Sequence, residues 1–227
     1  MKTVGIIGGM GPEATVLLMQ KLLKAAQAND DADHIPLIVH QNPAVPSRIK
    51  RLIDGAGDDP APVLVRMAQD LAGAGAQALA MPCNTAHAYA PQISAATPLP
   101  FLDMRTASLG QLRSILPPGG RVGMLASPAV RMAGVFDAPF AAAGLRAVFL
   151  ADDAPLLDLI RRVKAGDTGD RALGELARMA QILGAGSDHL LIACTELSLL
   201  SSVLAAKTWT DTLDCLTDRI VSFAKTA

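Results

Sequence analysis

One pattern occurs twice in this chain and narrows the folds open to it: a segment of helical period, a glycine, a short apolar run and then a cysteine. It reads "GAQALAMPCNT" from Gly75 through Cys83 and "GSDHLLIACTE" from Gly186 through Cys194, with the same glycine-to-cysteine spacing. The opening run "VGIIGG" at Val4 is matched by "VGMLAS" at Val122. A unit repeated in this order implies two similar halves, each carrying one thiol at the end of an apolar run. Short apolar runs alternating with longer helical segments are the pattern of an α/β protein with mainly parallel strands.

Strands are expected at 3–8, 35–41, 76–81, 121–127, 145–150 and 188–197, with a short run at 99–103. Pro12 opens a helix to about Ala28, because proline suits a first helical turn. Further helices are expected over 63–75, from Asn84 onward, on either side of 163–170, and from about Asp211 to the end. Both repeated cysteines then sit at the carboxyl ends of strands, where open α/β sheets bind their ligands. A thiol at the first turn of a helix is expected to ionise more readily than usual, being near unpaired N–H groups and the positive end of the dipole. Cys215 lies in an amphipathic stretch without that context and is expected in the core.

Twenty Lys and Arg against 21 Asp and Glu leave a net charge of -1, and only 3% of residues are aromatic. Neither the basic surface nor the stacking platforms of a nucleic-acid binder are present. The N-terminal apolar run is broken by glycines and Pro12, and no later run is long enough to span a membrane. A cytoplasmic protein is expected, and three cysteines suit reduced thiols better than a disulfide framework. "GMGPEA" (9–14) satisfies a dinucleotide fingerprint, but the strand at 35–41 runs out into His40, Gln41 and Asn42 where an acidic residue should meet a ribose. The glycines are read instead as letting the backbone approach a ligand, with Met10 in the cleft wall. Cys83 and His87 have a helical spacing open to metal ligands, but His34, His40 and His189 add no ligand pattern, so no metal is expected.

Five motifs in order resemble the aspartate/glutamate racemase family, its aspartate racemase branch in particular: "GIIGGMGPEAT", "NPAVPSR", "MPCNTAH", "VKAG" and "ACTEL". The resemblance implies an α/β fold of two pseudo-symmetric domains, each a mainly parallel four-stranded sheet flanked by helices, with the active site in the cleft between them. The expected domains are 1–104 plus 211–227, and 105–210. It implies a cofactor-independent isomerase that inverts an acidic amino acid, aspartate first and glutamate second, and a homodimer. Cys83 and Cys194 would be the acid/base pair, since inversion by two bases needs a donor on each face. Arg48 and Lys164 match the family's carboxylate-binding cations. Met10, Asn84, Thr85, Ser127, Thr195 and Glu196 would complete the substrate site. Ser47 stands where the family commonly has aspartate, Val130 replaces a threonine, and Ala193 replaces a glycine. The alternatives are a two-cysteine isomerase of a small dicarboxylate and a non-catalytic ligand-binding relative; retention of both thiols argues against the one-cysteine decarboxylases.

Overall fold

The run "VGIIG" forms β1 (Val4–Gly8), and all five of its residues are buried. Burial on both faces is what a central parallel strand requires, so an unbroken apolar run is stable there. In this computed structural model, which describes residues 1–204 and 208–226, the first half continues with α1 (Pro12–Ala25), β2 (Leu37–Gln41), α2 (Arg48–Leu52) and α3 (Ala61–Gly73). Then come β3 (Ala78–Ala80), a 3-10 turn (Thr85–Tyr89), α4 (Ala90–Ala95), β4 (Phe101–Leu102) and α5 (Met104–Ile115). The second half runs β5 (Arg121–Ala126), α6 (Pro128–Met132), α7 (Asp137–Ala143), β6 (Arg146–Val148), α8 (Ala154–Lys164) and α9 (Asp170–Ala185). It ends with β7 (His189–Ala193), a 3-10 turn (Leu197–Val203), β8 (Trp209–Asp211) and α10 (Thr212–Lys225).

Two four-stranded sheets result, ordered β2-β1-β3-β4 and β6-β5-β7-β8, with every pairing parallel. The orders are the same when the halves are overlaid, which is the duplication seen in the repeated motifs. Register agrees as well: Val4 pairs with Ala78 and Val122 with His189, the first residue of the cysteine-bearing strand in each half.

Several elements depart from the expected ones. The segment after Cys83 is a 3-10 turn followed by a separate short helix, because Pro91 starts a new first turn. The helix from Pro12 stops at Ala25, ahead of Gln27 in the left-handed region at φ 50. Helix α5 and strand β8 had no clear periodic signal. One carries Ser108, Gly110 and Gln111 among its apolar residues, and the other is three residues long.

Gly9 ends β1 at φ +94, and a Cβ placed there would lie 2.4 Å from the backbone carbon of Asn42. The turn from β1 to α1 therefore presses on the end of β2, and only a residue without a side chain allows both the conformation and the approach. Gly9 thus packs against backbone, and it also lines the vestibule shared with Arg48, Lys164 and Glu196. Gly9→Ala is expected to destabilise the protein by about 3 kcal/mol or more, read as a fall in the urea midpoint at unchanged slope.

Helix α10 closes the chain on the first half. Its Leu213, Leu216, Ile220 and Ala224 share one apolar cluster with Val4, Ile6, Leu18 and Ala80. Its N-cap, Asp211, repeats the arrangement at Asp103. Asp103 directly follows β4 and Asp211 is the last residue of β8, and each accepts from a backbone N–H two residues on, Arg105 or Leu213, at 2.8 Å. Each is also approached from its cysteine turn, by His87 Nε2 at 3.7 Å or by Ser198 Oγ at 3.0 Å. Asp103 has Arg105 beside it, whereas Asp211 is buried and its Oδ2 has no partner among the described residues. Burial, followed by the nearby Asp214, raises Asp211 to about 6.

A carboxyl group whose pKa rises on folding adds stability that is complete below its unfolded value and lost as pH climbs through its folded one. Between 3.8 and about 6 this group therefore weakens the fold as pH rises, by up to about 3 kcal/mol in all. Asp211→Asn keeps a good cap and removes the ionisation. Its stability relative to the parent is expected to be higher at pH 8 than at pH 4, measured by urea unfolding at both.

Candidate active site

Cys83 and Cys194 follow the carboxyl ends of β3 and β7 and line one cleft between the halves, about 400 Å³ including its mouth. That is at the small end of ligand sites. Every residue expected at the site reaches this cleft. Met10, Arg48, Asn84 and Thr85 join Cys83 from the first half; Ser127, Lys164, Thr195 and Glu196 join Cys194 from the second. Ser47, Ile49 and Ile160 line it too and were not anticipated. Ile160 stands one helical turn before Lys164 on α8, so helical spacing was the signal available for it.

The two cysteine turns are bonded to each other. Thr195 Oγ1 donates to the carbonyl of Pro82 at 3.2 Å. Asn84 Nδ2 donates to Thr212 Oγ1 at 2.9 Å, and that hydroxyl donates to the carbonyl of Ile192 at 3.0 Å. These buried bonds join the halves directly beneath the cleft, so Asn84 and Thr195 align the turns as well as lining the cavity. Ser127 caps α6 by accepting from the N–H of Ala129. Val130 belongs to the second half's core with Val122 and Met124.

The electrostatics around Cys194 correct the expectation of an easily ionised thiol. Its sulfur donates to Glu196 Oε2 at 3.1 Å, and both residues are buried. Burial first, then the Glu196 carboxylate, push the thiol well above its usual value; Lys164 and the Glu196 N–H act the other way without reversing it. The helix-terminus argument fails because the following element is a 3-10 turn that begins beyond Glu196, so it offers no long dipole to set against desolvation.

Lys164 is the last residue of α8, and its Nζ lies 3.3 Å from Glu196 Oε1. Burial works against the ammonium, but Glu196 and then the sulfurs of Cys194 and Cys83 outweigh it and raise its pKa. Arg48 opens α2. Its Nη1 donates to the carbonyls of Val45 at 3.1 Å and Pro46 at 2.9 Å, while its buried Nε has no partner among the described residues. The chain's own carbonyls thus brace the guanidinium. Ser47 accepts from the N–H of Lys50 and caps α2. The edge bearing Nε is suited to a bidentate carboxylate.

His87 is fully buried, with burial chiefly holding it below the ordinary histidine value. Its Nδ1 meets the carbonyl of Cys83 at 2.9 Å and its Nε2 accepts from the N–H of Met104 at 3.4 Å. Both ring nitrogens are engaged in holding the cysteine turn, which leaves neither for a metal. No group of three candidate metal ligands gathers among the described residues. His189 bonds Thr210 Oγ1 at 2.9 Å between β7 and β8, a structural contact. Cys215 sits in α10 with its sulfur 3.1 Å from Gln111 Oε1, pushed up to about 11, mainly by burial. Among the described residues no helix is long and apolar enough to cross a membrane.

The fold is similar to that of Picrophilus torridus aspartate racemase, with a TM-score of 0.88 and 26% identity over 99% of this chain and 94% of that one. A putative Asp/Glu racemase from Yersinia pestis matches over 100% of both chains with a TM-score of 0.79 at 22% identity, a likeness of fold. The broad specificity amino-acid racemase RacX of Bacillus subtilis (strain 168) is 32% identical over 103 residues, and that match spans 44% of each chain. The sequence model of the Asp/Glu/Hydantoin racemase family matches residues 7–219, and with paired cysteine turns facing one cleft on this duplicated fold, the chain belongs to that family.

Proposed function

We propose that the protein is a cofactor-independent amino-acid racemase acting on an acidic amino acid, aspartate first and glutamate second. The observation that carries this reading is the convergence of two thiols and two cations on one cleft. Inversion needs a base on one face of the α-carbon and an acid on the other. In this reading one sulfur, as thiolate, takes the α-proton, and the electrons of the C–H bond pass into the α-carboxylate. The opposite thiol then gives its proton to the other face. Negative charge developing on the carboxylate needs fixed positive partners in a water-poor site. Arg48 and Lys164 take that role and hold the two anionic ends of the substrate.

Aspartate stands first because the similarity to Picrophilus torridus aspartate racemase extends over nearly the whole chain. The partial match to a broad-specificity racemase supports testing other side chains beside it. The deciding experiment incubates single enantiomers of aspartate and glutamate in deuterated water without added cofactor. The expected result is α-deuterium uptake together with loss of optical rotation. Binding of acidic amino acids with no exchange would instead assign a ligand-binding role, and turnover of maleate an isomerase. The expected homodimer is checked by sedimentation on the same preparation.

A further inference from the structure

The duplicated cysteine turns differ in one side chain that bears on proton transfer. Two residues beyond Cys83 stands Thr85, and two residues beyond Cys194 stands Glu196. Threonine is neutral, so the duplication places a fixed carboxylate beside only one of the two sulfurs. Glu196 is 6% exposed, its Oε2 accepts from Cys194 Sγ at 3.1 Å, and its Oε1 lies 3.3 Å from Lys164 Nζ. A thiol at Cys194 makes a charge-assisted hydrogen bond to this carboxylate. A thiolate there would set two anions against each other with little water between them. The other charged or titratable groups facing the pair are Lys164 from α8, Cys83 from the opposite turn and Arg48 from α2, with Glu13 across the adjoining vestibule. Lys164 is a cation that would attract a Cys194 thiolate, and it is already engaged with Glu196.

We propose that Glu196 holds Cys194 as the protonated partner in the ligand-free protein, which makes Cys83 the thiolate and poises the resting site for the enantiomer whose α-hydrogen faces Cys83. This rests on the racemase reading. In that direction the α-proton passes to the Cys83 sulfur and the C–H electron pair stays with the substrate. The Cys194 S–H bond then breaks, and its proton forms the new C–H bond on the opposite face. The product leaves behind a Cys83 thiol and a Cys194 thiolate next to Glu196. One proton must return from Cys83 to Cys194, through solvent or by turnover of the opposite enantiomer, and repulsion from Glu196 drives that return. Glu196 acts through Cys194 and is a positioning residue. Because the enantiomers have equal free energy in water, kcat/KM is the same in both directions, and the asymmetry shows in kcat and KM separately.

The test follows the ionisation of each cysteine by NMR of the isotope-labelled β-carbon, in otherwise intact protein, with signals assigned by single Cys→Ser variants. Cys194 is expected to ionise at the higher pH of the two, because its thiolate would face the Glu196 carboxylate. Glu196→Gln should lower Cys194 by about 1 unit or more, leave Cys83 in place, and bring the kcat values of the two directions closer together. Thr85→Glu is at a half-buried position and supplies a second variant: it should raise Cys83. Coincident titrations, a Cys194 that ionises first, or a Cys194 unmoved in a natively folded Glu196→Gln protein would overturn the proposal. Inversion by the parent enzyme alongside coincident titrations removes the role of Glu196 alone. Separated titrations that respond to Glu196→Gln, without α-exchange on any acidic amino acid, remove the racemase reading and keep the charge asymmetry.

Discussion

Cys194→Ser is expected to lower inversion of aspartate by about 10³-fold or more while leaving α-deuterium exchange on one enantiomer. A hydroxyl is a far weaker acid than a thiol, so the replaced face loses its proton donor, a contribution of roughly 10²–10⁴-fold for a positioned acid or base. Cys83 still takes a proton from its own face and returns a deuteron to the same face. Label enters and configuration is kept. Cys83→Ser should likewise abolish inversion, with slower residual exchange on the other enantiomer, because the remaining sulfur is the one that burial and Glu196 keep protonated. Chiral chromatography and mass spectrometry of the recovered amino acid separate the two outcomes. Full inversion by either variant would exclude a two-thiol mechanism. Both cysteines are buried, and serine is close to them in size, so the fold should tolerate the changes; circular dichroism confirms that before rates are compared.

The second large effect is expected at the cations. Arg48→Ala should reduce kcat/KM by about 10²–10³-fold, the range for removing one partner of a desolvated charge pair. Arg48→Lys should recover only part of this. An ammonium can neither bridge a carboxylate in fork geometry nor keep the two carbonyl contacts that hold the guanidinium in place. Lys164→Met should match the alanine variant in kcat/KM and also cost stability, because Glu196 is left buried without its cation. That stability loss is about 1–2 kcal/mol, discounted because the lysine side chain is 34% exposed. Adding Glu196→Gln to Lys164→Met should restore much of the stability and little of kcat/KM. Equal recovery of both would mean that Lys164 serves the fold and does not bind substrate.

The residues of the cleft were unevenly legible. Cys83 and Cys194 stood out because each repeats a glycine, an apolar strand and a polar turn, and a strand's carboxyl end is where such sheets bind ligands. Arg48 and Lys164 had no local signal beyond the family motifs, since basic residues are common on any surface. Ser47, Ile49 and Ile160 carried less still, because lining a cleft depends on which helices face it. Helix α5 and strand β8 went unread for related reasons: a weakly periodic helix and a three-residue strand are stabilised by what packs on them.

The thiol chemistry was misjudged in an instructive way. From the chain, a cysteine before a helix looked ready to ionise; in the fold, burial first and then a carboxylate 3.1 Å away push the Cys194 thiol well above its usual value. Similarly, Ser47 stands where the family commonly has an aspartate before the arginine, yet the carbonyls of Val45 and Pro46 brace Arg48.

Sequence alone determined the duplicated α/β plan, its mainly parallel strands and the placing of one thiol in each half, because periodicity, glycine stops and apolar runs act over a few residues. Only the tertiary structure decided which side chains share the cleft, how the cysteine turns are bonded across the halves, and that a buried carboxylate lies against one of the two sulfurs. Desolvation and Coulomb interactions depend on distances between groups far apart in the chain, and those distances exist only once the two halves have packed together.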